Sequence, residues 1–226
     1  MPKLRVHALA ISLDGYVAGP HQDLEHPLGI GGPRLHEWVF ATRAGQEMIG
    51  STGGDEGVDH DFVARGFTDI GATVMGRNMF GPVRGPWGTG EEGDWKGWWG
   101  DTPPYHHPVF VLTHHARPPV EMAGGTTFHF VTDGIDGALA RAFAAADGAD
   151  VRLGGGAATV REYLRAGLVD EMHLAVVPVL LGAGERLFEP DDAVADRYEC
   201  AEMVPGASVM HVRLVRRSRA EPAARS

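Results

Sequence analysis

The sequence has few of the features that are typical of secreted and membrane proteins. It holds one cysteine, Cys200, so no internal disulfide can form, which is typical of a cytosolic protein. No apolar run approaches the roughly 18 residues that a transmembrane helix needs. The first residues alternate in polarity and show no small-residue cleavage site, so they predict a strand and not a signal peptide. We therefore expect a soluble, cytoplasmic protein.

Basic residues are scarce relative to acidic ones. The 20 Lys and Arg stand against 30 Asp and Glu, which gives a formal net charge of −10 at pH 7. Nucleic-acid binding requires a basic patch or stripe, and the overall balance argues against it. A small basic pocket for a phosphorylated ligand is compatible with the same net charge.

Several catalytic signatures are also missing. Twelve histidines invite a metal hypothesis, but no H-E-x-x-H motif occurs, and the doublets His106-His107 and His114-His115 do not place two rings on one face. The chain has no G-x-S-x-G elbow, no Walker loop and no zinc-deaminase signature. We therefore predict neither a metal centre nor a serine hydrolase.

What the chain does contain is an alternation of short apolar strands and one-sided helices. Strands are predicted at residues 4–12, 72–76, 108–113, 127–132, 150–153 and 171–180, with a closing antiparallel pair at 197–204 and 209–216. One of the intervening helices has Asp136 as its expected N-cap and Ala140 on its inward face. This order predicts an α/β fold with a mostly parallel sheet and an antiparallel C-terminal edge. We expect one domain over residues 1–217 and a frayed tail at 218–226.

The most informative segment, residues 150–188, predicts a strand, a triple glycine, a helix and another strand. Gly154, Gly155 and Gly156 remove every Cβ where the helix begins, and free amides at a helix start favour a phosphate oxyanion. The segment departs from the dinucleotide fingerprint G-x-G-x-x-G because Thr159 stands at the third glycine position. A simple tight turn is the alternative interpretation.

Two further features have open interpretations. Asp14 places a carboxylate at the C-terminal end of the first strand, where α/β sheets bind ligands, but an Asp-Gly sequence is also an ordinary turn. Residues 81–108 form a Trp-rich insertion with four of the five tryptophans. It is interpreted as a self-packed surface flap, a substrate wall or a dimer contact.

Through a series of short motifs, the chain resembles one known family. The motifs are, in order, Ser12-Leu13-Asp14-Gly15-Tyr16, Met75-Gly76-Arg77-Asn78-Met79-Phe80, Val111-Leu112-Thr113-His114, Gly154-Gly155-Gly156, Leu168-Val169-Asp170-Glu171 and the run 178–188, PVLLGAGERLF. Together they resemble the dihydrofolate reductase superfamily, in the branch of the C-terminal reductase domain of bacterial riboflavin biosynthesis proteins. The resemblance covers roughly residues 4–216 and implies a three-layer fold with helices on both faces of the sheet.

The resemblance implies a cofactor, NADPH, bound across the C-terminal edge of the sheet. Arg77 is implied as a cation for the cofactor phosphates, and the triple glycine as the turn that approaches the pyrophosphate. His114 departs from the serine or arginine that the family often has there, near the 2′-phosphate. The cofactor-binding residues that the resemblance implies are Gly15, Gly76, Arg77, Asn78, Thr113, His114, Gly154, Gly155, Gly156, Ala157 and Thr159.

The implied reaction is hydride transfer to a C=N or C=O carbon of a small heterocyclic or ribosylamino-pyrimidine-like substrate. Asp14 is the candidate catalytic residue, which orients substrate or relays a proton. Glu37 is the alternative carboxylate, and Glu37 and Trp38 are the candidate substrate contacts. The remaining alternative is a non-catalytic protein that binds a dinucleotide or a flavin. Small molecules are the expected ligands, and a homodimer is the expected assembly.

Overall fold

The fold comes from a computed structural model, which describes residues 1–81, 84–88, 94–189 and 194–217. Its strands are β1 Leu4–Ser12, β2 Tyr16–Ala18, β3 Ile70–Gly76, β4 Pro108–Leu112, β5 Val120–Glu121, β6 Thr127–Val131, β7 Asp150–Leu153, β8 Glu171–Val177, β9 Glu185–Arg186, β10 Tyr198–Pro205 and β11 Met210–Arg216. Its α-helices are α1 Glu37–Ala41, α2 Arg43–Met48, α3 Val58–Arg65, α4 Arg77–Phe80, α5 Gly134–Ala145 and α6 Ala157–Arg165.

A nine-stranded sheet organises the described part of the chain, in the order β10-β11-β8-β1-β7-β3-β4-β6-β5. The six strands from β8 to β6 run parallel. Strands β10 and β11 form an antiparallel edge, and β5 pairs antiparallel at the other edge. The predicted parallel sheet with an antiparallel C-terminal edge is confirmed. Strand β5 and the small β2–β9 sheet were not predicted, because strands of two or three residues carry almost no periodicity.

Helices cover both faces of this sheet, because successive strand residues point to opposite sides. Helices α5 and α6 pack on one face against a core that includes Val74 and Val151. Helices α1 to α3 pack on the other face against residues such as Ala10 and Ala175, and α4 packs there through Phe80. The three-layer arrangement that the resemblance implies is therefore confirmed.

Three predicted element details are wrong. Helix α5 begins directly after Asp133, so Asp136 lies in its first turn and is not the N-cap. Ala140 is exposed, since the inward stripe of α5 follows a 3.6-residue period through other positions: Ala138, Leu139 and Ala142. Strand β8 ends at Val177 and not at residue 180, because Pro178 has no N–H to continue a ladder.

Candidate functional site

Three parallel strands bring the predicted cofactor residues to one edge of the sheet. Strands β7, β3 and β4 are neighbours, so the triple glycine, Gly76 and Thr113 all follow their carboxyl ends. The Gly76 N–H donates to the Gly155 carbonyl at 2.7 Å, and the Gly154 N–H donates to the Val74 carbonyl at 2.8 Å. The glycine turn after β7 and the start of α4 after β3 are thus joined directly.

The triple-glycine turn leaves an open space in front of helix α6. Gly155 has a φ of +123°, which favours glycine, and the Gly155–Gly156 peptide is cis. A Cβ at Gly156 would meet nothing within 4 Å, and Ala157 is buried at the first position of the helix. The turn therefore offers backbone amides and the positive end of a nine-residue helix to an incoming anion.

Thr159 packs against Gly76 and explains why position 76 has no side chain. A Cβ at Gly76 would overlap the Thr159 hydroxyl. We expect Gly76→Ala to lower the free energy of unfolding by about 1 to 3 kcal/mol, the usual cost of overpacking. Urea unfolding of Gly76→Ala, Thr159→Ala and the double variant measures it. The double variant should recover most of the loss, whereas simple additivity would contradict this contact as the cause.

Arg77 is the most informative side chain at this edge. It is 9% exposed, yet its Nε and Nη2 atoms are buried without any hydrogen-bond partner. Only Nη1 is engaged, with the Gly85 carbonyl and, at 3.5 Å, with the Thr113 hydroxyl. The guanidinium carbon lies 3.7 Å from the ring centroid of Trp87. Buried donors without acceptors are rare and costly, which makes Arg77 the first candidate for an anion-binding group at this edge.

Two arginines that the sequence analysis missed concentrate positive charge around Arg77. Arg84 and Arg117 lie close enough for their charges, after burial itself, to lower the pKa of Arg77. Arg117 also lies over Trp87, 4.9 Å from its ring centroid. Three arginines therefore lie together in an acidic protein, with the carboxylates of Glu185 near Arg84 and of Asp94 near Arg117. The sequence offered one signal for them: Arg84 follows α4 closely in the chain, and Arg117 follows β4 closely.

The other predicted residues near Arg77 have different degrees of exposure. Thr113 is buried, and its hydroxyl accepts from the His115 N–H at 3.2 Å. His114 is exposed beside it, and Asn78 is exposed on α4. Thr113 is thus placed against Arg77, while His114 and Asn78 are open to solvent.

Asp14 joins two loops at the carboxyl ends of β1 and β8. Its carboxylate accepts from the Ser12 hydroxyl at 2.6 Å and from the N–H groups of Leu181 and Gly182 at 3.1 and 2.7 Å. These bonds, that of Ser12 above all, lower the pKa of Asp14 to about 2. A carboxylate that is ionised at neutral pH is poorly suited to relay a proton. Of the two predicted roles of Asp14, orienting the substrate is therefore the one that this geometry favours.

Three predicted residues have no contact with the Arg77 pocket. Gly15 turns the chain between β1 and β2 with a φ of +88°. Glu37 is exposed at the start of α1, and Trp38 is 3% exposed in the core, with an indole nitrogen that has no partner. Among the described residues, no hydrogen bond or ring contact joins these side chains to Arg77 or to the glycine turn. Their roles at the site stay predictions.

The Trp-rich insertion divides between two environments. Trp87 and Trp95 pack with Phe80 and its neighbours in the core, and the Trp95 indole donates to the Phe80 carbonyl at 2.8 Å. Trp98 and Trp99 line a cleft against α2 and α3. The described part of the insertion is therefore partly self-packed and partly a wall of this cleft. Residues 82–83 and 89–93 of the insertion lie outside the described residues.

Fold and site together define an α/β protein of dihydrofolate reductase-like architecture with an anion-receptive pocket at its carboxyl edge. The sequence profile of the RibD C-terminal domain matches residues 2–212, so the chain belongs to the RibD C-terminal domain family. Membership confirms the resemblance seen in the motifs and supports an oxidoreductase of the kind found in riboflavin biosynthesis.

Solved structures show the same fold at low sequence identity. A protein assigned to riboflavin biosynthesis from Shewanella sp. PV-4 is 22% identical with a TM-score of 0.57, covering 96% of this chain and 100% of that chain. RibD from Acinetobacter baumannii is 17% identical with a TM-score of 0.52, covering 96% of this chain and 58% of that one. Dihydrofolate reductase from Enterococcus faecalis, complexed with NADP(H) and RAB-propyl, is 14% identical with a TM-score of 0.50, covering 96% and 97%. No curated protein matches the chain.

Two kinds of feature are absent from the described residues. None of the helices there has the length and apolar character needed to cross a membrane. In the same part of the chain, no three histidine, cysteine or acidic side chains lie together as a metal site.

Proposed function

We propose that this protein is an NADPH-dependent reductase that transfers hydride to a small heterocyclic or ribosylamino-pyrimidine-like substrate. The observation that carries the proposal is Arg77, whose Nε and Nη2 are buried without partners at the carboxyl edge of the sheet. A phosphate group would supply the acceptors that these donors lack. Bidentate, charge-assisted bonds to phosphate are what a planar guanidinium makes best.

The residues present fit a dinucleotide. Arg77 would hold a phosphate, with Thr113 and His114 beside the adenosine 2′-phosphate, and the amides of Gly155 and Gly156 would face the pyrophosphate. When bound, the nicotinamide supplies a hydride from its C4 to the electrophilic carbon of a C=N or C=O bond. This chain would bind and orient the reactants and exclude water from the reacting atoms.

Asp14 supports this function by orientation. In Asp14→Asn, an amide NH₂ replaces one acceptor oxygen beside the Ser12, Leu181 and Gly182 donors, so the two loops should separate. We expect turnover to fall at least tenfold while the Kd for NADPH changes less than threefold. Steady-state kinetics and NADPH titration of the variant measure the two effects. A fully active variant would remove Asp14 from the mechanism.

The cofactor is tested by thermal unfolding of the wild-type protein with NADPH and, in parallel, NADH. A ligand that binds only the folded state stabilises it by about 2.7 kcal/mol at a hundredfold excess over Kd. Stabilisation by NADPH well beyond that by NADH is the expected result. No shift with either ligand would overturn the proposal. NADPH binding without oxidation by a broad panel of imines and carbonyl compounds would favour the non-catalytic alternative, and a yellow purified protein would favour a flavin.

Assembly and location belong to the same proposal. We infer a homodimer with two-fold symmetry, the commonest arrangement of soluble oligomers, and a cytoplasmic location, which the single cysteine supports. Light scattering measures the oligomeric state.

A further inference from the structure

A second arginine with an unpartnered buried nitrogen, half-buried Arg152, lies on strand β7. Arg152 is flanked by Val151 and Leu153, which belong to the core under α5 and α6. Since strand residues alternate, Arg152 faces the side of the sheet that carries α1 to α4. Its register partners there are Arg5 on β1 and Thr73 on β3.

The guanidinium of Arg152 has no acidic partner. Its Nε atom is buried without a hydrogen-bond partner, and among the described residues the side chain makes no hydrogen bond or ion pair. Its one contact of note is with Phe67, whose ring centroid is 4.9 Å from the guanidinium carbon. Its neighbour Arg5, by contrast, is paired with Asp150 at 2.9 Å. A half-buried guanidinium without a counter-charge is costly, so an anionic ligand would be stabilised at this position.

The groups around Arg152 favour an anion. Besides Arg5, they are His7, Tyr105 and His107, and burial together with the charge of Arg152 lowers the pKa of both histidines to about 4. His107 is held by the Thr73 hydroxyl at 2.7 Å. These neighbours are neutral or positive at pH 7, so they leave an unbalanced positive charge in the patch.

Aromatic side chains connect this patch to the surface. Phe67, which packs against Arg152, also lines the cleft of about 950 Å³ between α2, α3 and the Trp-rich insertion. Trp98 and Trp99 form another wall of the cleft, and Trp99 lies beside Tyr105, another neighbour of Arg152. The cleft is large enough for a ring system, and its walls suit a planar aromatic molecule.

We propose that Arg152 binds the carboxylate of an aromatic acid whose ring lies in this cleft against Phe67 and Trp99. A carboxylate matches the side of a guanidinium that presents Nε and one Nη, and two parallel bonds would satisfy the buried donor. The aromatic walls favour a ring over inorganic phosphate, which is strongly hydrated. This site is separate from the Arg77 pocket and does not depend on NADPH.

The test uses 2-naphthoate as the probe and 2-naphthamide, its neutral analogue, as the matched ligand. Calorimetric titration of the wild-type protein should give naphthoate binding at least tenfold tighter than naphthamide binding. Arg152→Met should lose at least tenfold in naphthoate affinity, while Arg34→Met, which removes an exposed arginine, should bind like the wild type. Arg152→Met should keep its NADPH-induced thermal shift, so failure here is distinct from failure of the cofactor proposal.

Three outcomes would overturn the inference. The first is equal binding of naphthoate and naphthamide by the wild-type protein, a comparison that requires no variant to fold. The second is unchanged naphthoate affinity in Arg152→Met. The third is stabilisation by inorganic phosphate, lost in Arg152→Met, without any by naphthoate, which would assign the site to a phosphate group.

Discussion

Replacing Arg77 by methionine is expected to weaken NADPH binding by about 100-fold or more. Charge-assisted hydrogen bonds contribute about 1.5 to 3 kcal/mol each, and Arg77 has two buried donors that await an acceptor. The affinity for NADH, which lacks the 2′-phosphate, should fall less. The preference for NADPH over NADH should therefore also fall. Fluorescence or calorimetric titration with both cofactors measures this.

Stability distinguishes a ligand-binding role of Arg77 from a structural one. Because Arg77 is a buried cation with unpartnered donors in the unliganded protein, Arg77→Met should not lower the melting temperature appreciably. Arg141→Met is the matched control, since Arg141 pairs with Asp133 on the surface. Unchanged NADPH affinity in a folded Arg77→Met protein would contradict the assignment of Arg77 to a cofactor phosphate.

Stability should fall steeply below pH 6.5 because of buried histidines under α3. Burial lowers the pKa of His7 to about 4 and that of His173 to about 2, against 6.5 for a free histidine. Both stay neutral in the folded protein while the unfolded chain takes up protons. The free energy of unfolding should therefore drop by about 1.4 kcal/mol per pH unit for each, from pH 6.5 down to about 4. Below that, only the contribution of His173 continues.

Besides burial, a directional hydrogen-bond chain opposes protonation of His173. The Ala8 N–H donates to His173 Nδ1 at 3.1 Å, so the ring proton of His173 is on Nε2 and donates to His211 Nδ1 at 3.0 Å. His211 in turn donates from Nε2 to Asp59 at 2.8 Å. The ring of Phe62 stacks on both histidines. An added proton would set two donors against each other, which breaks the chain.

Urea unfolding at pH 7.5 and pH 5.5 measures the effect, with an expected loss of about 2 to 3 kcal/mol from these two histidines. His7→Gln can still donate to the Phe62 carbonyl, which His7 contacts at 2.6 Å, but it does not titrate. Its loss of stability between pH 7.5 and pH 5.5 should be smaller than that of the wild type by about 1.4 kcal/mol. His21→Gln, an exposed control, should keep the wild-type slope. The same slope in His7→Gln as in the wild type would show that His7 titrates freely.

The sequence alone predicted the elements whose signals are local. Strands β1 and β7 have the predicted bounds, Leu4–Ser12 and Asp150–Leu153, because short apolar runs ended by turn residues specify them. Helix α6 follows its apolar spacing, and Gly167 ends it with a φ of +69°. The order of short motifs was enough to indicate the family, and the cofactor role that it implied for Arg77 stays a prediction.

Only the tertiary structure decided which side chains meet. Arg84 and Arg117 lie near Arg77 but come from separate loops. No local sequence pattern predicts that these three residues lie together. Asp14 is held by the nearby Ser12 hydroxyl and by a loop more than 160 residues away. These bonds keep its pKa low, so Asp14 is poorly suited to relay a proton. Arg152 looked like one polar residue of a short strand. Pairing of distant strands creates these contacts, and burial then determines the charge state and partners of each group, so a one-dimensional pattern does not contain them.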